Sequence, residues 1–69
     1  MGERSMMTRA ELEAGFAQGR TVTQEEWANP KEIALVDQLI AEGKAVVTAP
    51  WEYLDNFQCE RRRVTGVKV

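Results

Sequence analysis

At 69 residues the chain has room for one domain with a small core, and a domain of that size is marginal unless something staples or partners it. Its 43% hydrophobic and 29% charged residues exclude a disordered polymer, and no apolar run approaches the ~20 residues of a membrane span. A formal charge of −2, no histidine and a single cysteine, Cys59, exclude an internal disulfide and remove the commonest general base and zinc ligand, so no enzyme chemistry, metal or cofactor is expected.

The opening "MGERSMMTRA" has no apolar core of a signal peptide, and Met6 stands where a myristoylation pattern wants Ser or Thr. Residues 1–7 are therefore expected to be a flexible leader, residues 8–69 a single domain, and the setting cytoplasmic.

Thr8 opens "TRAE", a capping box in which the Thr hydroxyl and the Glu11 carboxylate satisfy each other's backbone amides. It predicts a helix of about ten residues with Leu12 and Phe16 on one face and Gly19 as its left-handed end. "RTVT" reads as a very short strand. Thr23 then opens a second capping box, "TQEE", predicting a short second helix with Trp27 packed inward. Pro30 forces Asn29 out of the helical region and at once restarts a third helix, with Asn29 as cap and Glu32 as the capping-box acid.

That third helix carries the strongest periodicity. Ile33, Leu35, Val36, Leu39 and Ile40 share one face, Lys31, Ala34, Gln38 and Ala41 lie opposite, and Gly43 ends it. From Lys44 the period becomes two, which predicts a hairpin. A three-residue loop, Leu54-Asp55-Asn56, puts Asn56 in the left-handed conformation and aligns Trp51 and Tyr53 with Phe57 and Cys59 on one face. Pro50 marks an edge strand or a bulge. Trp27, Trp51, Tyr53 and Phe57 are expected in or beside the core, a base-stacking platform being the minor alternative, and Cys59 is expected to be buried and inert.

The predicted class is α+β: three short helices, a short strand and a C-terminal hairpin. This order resembles the winged-helix domain. The segment "LVDQLIAEGKAVV" is similar to the end of the recognition helix and the entry to the wing in MarR-type regulators, and "TVTQEEWA" with the terminal "VKV" resembles phage excisionases. The resemblance implies that the third helix meets DNA and that the hairpin is a wing.

The charges favour another role. Residues 1–60 hold five Lys/Arg against eleven Asp/Glu, whereas 61–69 hold four cations and no acid. An acidic body repels phosphate, and the outer face of the third helix offers Lys31 and Gln38 but also Asp37 and Glu42. Arg61, Arg62, Arg63 and Lys68 are the candidate contacts to a partner or to phosphate, with Arg61 and Arg63 on one side of a strand and Arg62 on the other, near Glu52 and Glu60 in an ordinary ion pair. Lys31, Ala34, Gln38 and Ala41 form a low-relief strip suited to a docking helix, which leaves a homodimer open. The expected function is a small non-enzymatic regulator or inhibitor that binds a partner protein. The alternative is a DNA-binding accessory factor or repressor that contacts phosphates through its wing.

Overall fold

The computed structural model describes residues 7–69, so the expected leader falls outside the described residues except for Met7. Five elements follow in order: α1 (Arg9–Ala17), β1 (Thr21–Glu25), α2 (Pro30–Ala41), β2 (Ala45–Leu54) and β3 (Cys59–Gly66). The class is α+β, with two helices and a three-stranded antiparallel sheet ordered β1-β3-β2. The last strand is thus the central one, and the helices lie on one side of the sheet.

Both helices begin and end where local chemistry dictates. The Glu11 amide donates to the Thr8 hydroxyl at 3.2 Å and the Thr8 amide to the Glu11 carboxylate at 2.9 Å, completing the capping box of α1. Asn29 Oδ1 accepts from the Lys31 amide at 2.9 Å, and Pro30 takes the first helical position of α2. Gly19 and Gly43, both at φ 81°, let the chain turn back, and the Arg20 and Lys44 amides then donate to the Gly15 and Leu39 carbonyls.

The expected helix over "TQEEWA" is not formed, so the described residues hold two helices rather than three. Thr23 is opposite Arg63 in the β1–β3 ladder, and pairing runs from Thr21↔Thr65 to Glu25↔Arg61. A capping box satisfies two amides locally, whereas this ladder adds backbone bonds, a hydroxyl pair (Thr21–Thr65, 2.9 Å) and an ion pair for Glu25. The β-branched Thr-Val-Thr run suits it. A tight turn at Glu26–Ala28, closed by the Ala28 amide on the Glu25 carbonyl at 2.9 Å, replaces the missing helix and feeds straight into the Asn29 cap.

The core comprises Leu12 and Phe16 from α1, Val36 and Leu39 from α2, Ala45 from β2 and Val64 from β3, with Val22, Leu35 and Ile40 packed against it. Burial thus selects the middle of the predicted α2 stripe. Gly66 lets the two layers close: a Cβ there would overlap the Phe16 backbone, so α1 rests directly on β3 at this point.

The hairpin register also departs from expectation. Leu54 pairs with Cys59, making a four-residue loop Asp55–Gln58, and the left-handed residue is Gln58 (φ 55°) rather than Asn56. The Leu54 carbonyl accepts from both the Phe57 and Gln58 amides, at 3.1 and 2.7 Å. That helical turn must unwind before the strand resumes, so the positive φ falls on its last residue. β2 is an edge strand with irregularities between Val47 and Ala49 and between Ala49 and Glu52, the second spanning Pro50.

Candidate functional site

Strand alternation gives the three adjacent arginines different fates. Arg62 points to the helix side and is 6% exposed. Its Nε donates to Gln24 Oε1 at 2.8 Å, its Nη1 lies 2.9 Å from Asp37 Oδ1, and its guanidinium carbon sits 5.0 Å from the centroid of the Trp51 ring. One side chain thus ties together β1, α2, β2 and β3, and its partners are not the expected Glu52 and Glu60. Gln24 Nε2 and Arg62 Nη2 are buried beside it without a hydrogen-bond partner, an internal cost that the ion pair and the ring offset.

Arg61 and Arg63 share the opposite, open face, as alternation requires. Arg61 is 3.0 Å from Glu25 and stacks on Phe57 at 3.7 Å, whereas Arg63 is exposed and has no carboxylate partner among the described residues. Lys68 lies beyond the far end of β3, beside Gly19. The four candidate contact cations therefore lie apart, as the expected division of Arg61 and Arg63 from Arg62 requires.

Lys31, Ala34, Gln38 and Ala41 are all exposed along α2. The strip is partly engaged, because Gln38 Oε1 accepts from Arg9 at 3.3 Å, and Arg9 also bridges Glu13 and Glu42. Hydrogen bonds from Arg9 hold the carboxyls of Glu13 and Glu42 below the usual carboxylate range, and Lys44 adds to the effect.

The surface that sequence reasoning missed lies at the loop end of the hairpin. Phe16 is the one aromatic side chain buried among the described residues; Trp27 is 66% exposed, Tyr53 56%, Phe57 49% and Trp51 38%. These four were expected in or beside the core. The reason is geometric: Ala45 is the single buried residue of β2, and Trp51 and Tyr53 fall in its outer half, beyond the layer built by Leu12, Phe16, Val36 and Leu39. A signal was present in the sequence, since a ten-residue strand of ~34 Å outruns a twelve-residue helix of ~18 Å.

Trp51 and Ile33 line a hollow of about 240 Å³ whose other lining residues are Glu26 and Glu60. The Glu60 amide donates to Glu26 Oε1 at 2.6 Å and the Glu26 amide to the Glu60 carbonyl at 2.9 Å, fixing the two residues side by side. Trp27 follows Glu26 directly in the chain. Larger hollows occur on the open sheet face, about 440 Å³ between Phe57, Leu54, Pro50 and Arg61, and near the start of β2, about 350 Å³ between Lys44, Lys68 and Glu13. Among the described residues no three acids or cysteines gather as a metal site would need, and no helix is long and apolar enough to cross a membrane. Cys59 is a buried free thiol.

Comparison with protein-family models, with curated proteins and with solved structures finds no match to this chain.

Proposed function

We propose that this chain is a small non-enzymatic binding protein, a regulator or inhibitor that docks a partner protein through the aromatic surface at the loop end of its hairpin. The observation that carries this reading is the exposure of Trp27, Trp51 and Tyr53 in a domain with one buried aromatic. Tryptophan and tyrosine are among the residues most enriched at binding hot spots, and leaving their rings partly in water forgoes part of the burial free energy that a core aromatic gains. Trp51 is backed by Arg62, and its chain neighbours Glu52 and Tyr53 pair with β3, so its ring is presented at reduced entropic cost. The setting suited to this role is the cytosol, where Cys59 stays reduced.

The winged-helix resemblance belongs to the same proposal, in a shortened form that keeps helix, strand, helix and hairpin. Its DNA-binding implication ranks second. The cations without a carboxylate partner among the described residues are Arg20, Lys31, Arg63 and Lys68, and they are spread over both ends of the sheet and both of its sides. A phosphate-tracking surface needs them in a stripe.

Affinity capture from the native host with two double variants separates these readings. The account expects Trp27→Ser with Tyr53→Ser to abolish capture of the partner, and Arg63→Ala with Lys68→Ala to leave it intact. Salt-sensitive capture of nucleic acid that disappears in the arginine–lysine variant would establish the second reading instead.

A further inference from the structure

Resting on the docking reading above, we infer that the partner presents a basic segment, with one lysine or arginine side chain laid on the outer face of Trp51 between Glu26 and Glu60. The face of Trp51 turned to the protein is taken by Arg62, and Asp37 neutralises that guanidinium, so the ring is not already flanked by an uncompensated cation. Trp51 is still 38% exposed and lines the hollow with Glu26 and Glu60, where an aromatic ring attracts a second cation through its negative face. Ile33 beside it supplies apolar contact for the methylene stem of such a side chain.

The carboxylates complete the seat. Glu60 makes no ion pair or side-chain hydrogen bond among the described residues, and Glu26 has one oxygen left after accepting from the Glu60 amide. Acids outnumber free cations around this end of the molecule. Glu52 and Asp55 of the hairpin also lack cationic partners, the arginines Arg61 and Arg62 are neutralised by Glu25 and Asp37, and the unpaired cations on the neighbouring elements, among the described residues, are Lys31 and Arg63. A negative field over an aromatic floor draws in a basic peptide and repels phosphate or an acidic one.

The test uses three acetylated, amidated heptapeptides, identical except for a central lysine, norleucine or glutamate between leucines and glycines. Binding is read from the two tryptophan indole N–H signals of the isotope-labelled chain. The lysine peptide is expected to shift the Trp51 signal and to bind at least tenfold tighter than the norleucine peptide. Glu60→Gln should weaken lysine-peptide binding three- to tenfold and leave norleucine-peptide binding unchanged, and Glu60→Lys should turn the preference to the glutamate peptide. Glu11→Gln, which keeps the capping pattern of α1 at a distant site, should change neither. Equal binding of the lysine and norleucine peptides would overturn the cationic seat while leaving the docking reading in place. Equal weakening by Glu11→Gln and Glu60→Gln would reduce the effect to net charge and also overturn it. A Trp51 signal unmoved by millimolar lysine peptide would overturn it outright. The docking reading fails separately, if Trp27→Ser with Tyr53→Ser leaves capture of the native partner intact.

Discussion

Three neighbouring arginines illustrate how little a residue type says without its surroundings. Arg62 is buried in a network with Gln24, Asp37 and Trp51, Arg61 is paired with Glu25 across the open face, and Arg63 is exposed. Arg62→Ala should therefore cost about 2 kcal/mol, because it strands the buried Gln24 and empties the space beside Trp51 while Asp37 stays solvated, whereas Arg63→Ala should stay within about 0.5 kcal/mol. Urea unfolding followed by circular dichroism measures both. Lysine at position 62 should recover little of the loss, since an ammonium lacks the planar fork that reaches Gln24 and Asp37 together while stacking on a ring. Two further positions are set by backbone conformation. Gln58 at φ 55° should gain about 1 kcal/mol on replacement by Gly, and Gly66→Ala should lose about 3 kcal/mol or more, because the added methyl meets the Phe16 backbone rather than a movable side chain. Thermal unfolding of the two variants should move in opposite directions.

Among the elements, what was legible in the sequence is what local chemistry decides. Thr8 with Glu11, Asn29 with Lys31, and the glycines at 19 and 43 bond within four residues of themselves, and both helices start and stop there. "TQEE" carried an equally good local signal and became a strand, because its partner is β3, with Gln24 meeting Arg62 across 38 positions of sequence. The same holds for the hairpin loop and the aromatic residues: the register depends on the Leu54–Cys59 pairing, and exposure depends on how far β2 outruns the helices. The polar part of the contact between α1 and α2 is made by Arg9, Glu13 and Glu42 and gives a prediction with a definite sign. Both carboxyls are held below their ordinary value of 4.5 in the folded chain, so their contribution to stability is present above about pH 4.5 and is lost as pH falls through the lowered values. Melting temperatures recorded from pH 6 down to about 2 should fall less steeply for Arg9→Ala than for the parent chain.

The body formed by the described residues is thin, 35 × 34 × 17 Å, one layer of helix on one of sheet. A core of six side chains with one aromatic among them, Phe16, holds it together, and most of its aromatic surface is spent outside that core. Its charge is arranged along the sheet as well. The end at Arg20, Lys44 and Lys68 mixes cations with Glu13 and Glu42, which pair with Lys44, whereas the hairpin end carries Glu26, Glu52, Asp55 and Glu60, unpaired by any cation among the described residues, around Trp51 and Tyr53. A domain with a small core gains stability from whatever covers that apolar end, so binding and folding are linked, and a saturating partner should raise the melting temperature. The most direct measurement is a hydroxyl-radical footprint of the chain with and without its captured partner, read at the oxidisable aromatic side chains and at the cationic end. The account predicts protection of Trp27, Trp51 and Tyr53 with Val67 and Lys68 unchanged; protection confined to the cationic end and α2, with Trp51 and Tyr53 oxidised as in the free chain, would contradict it.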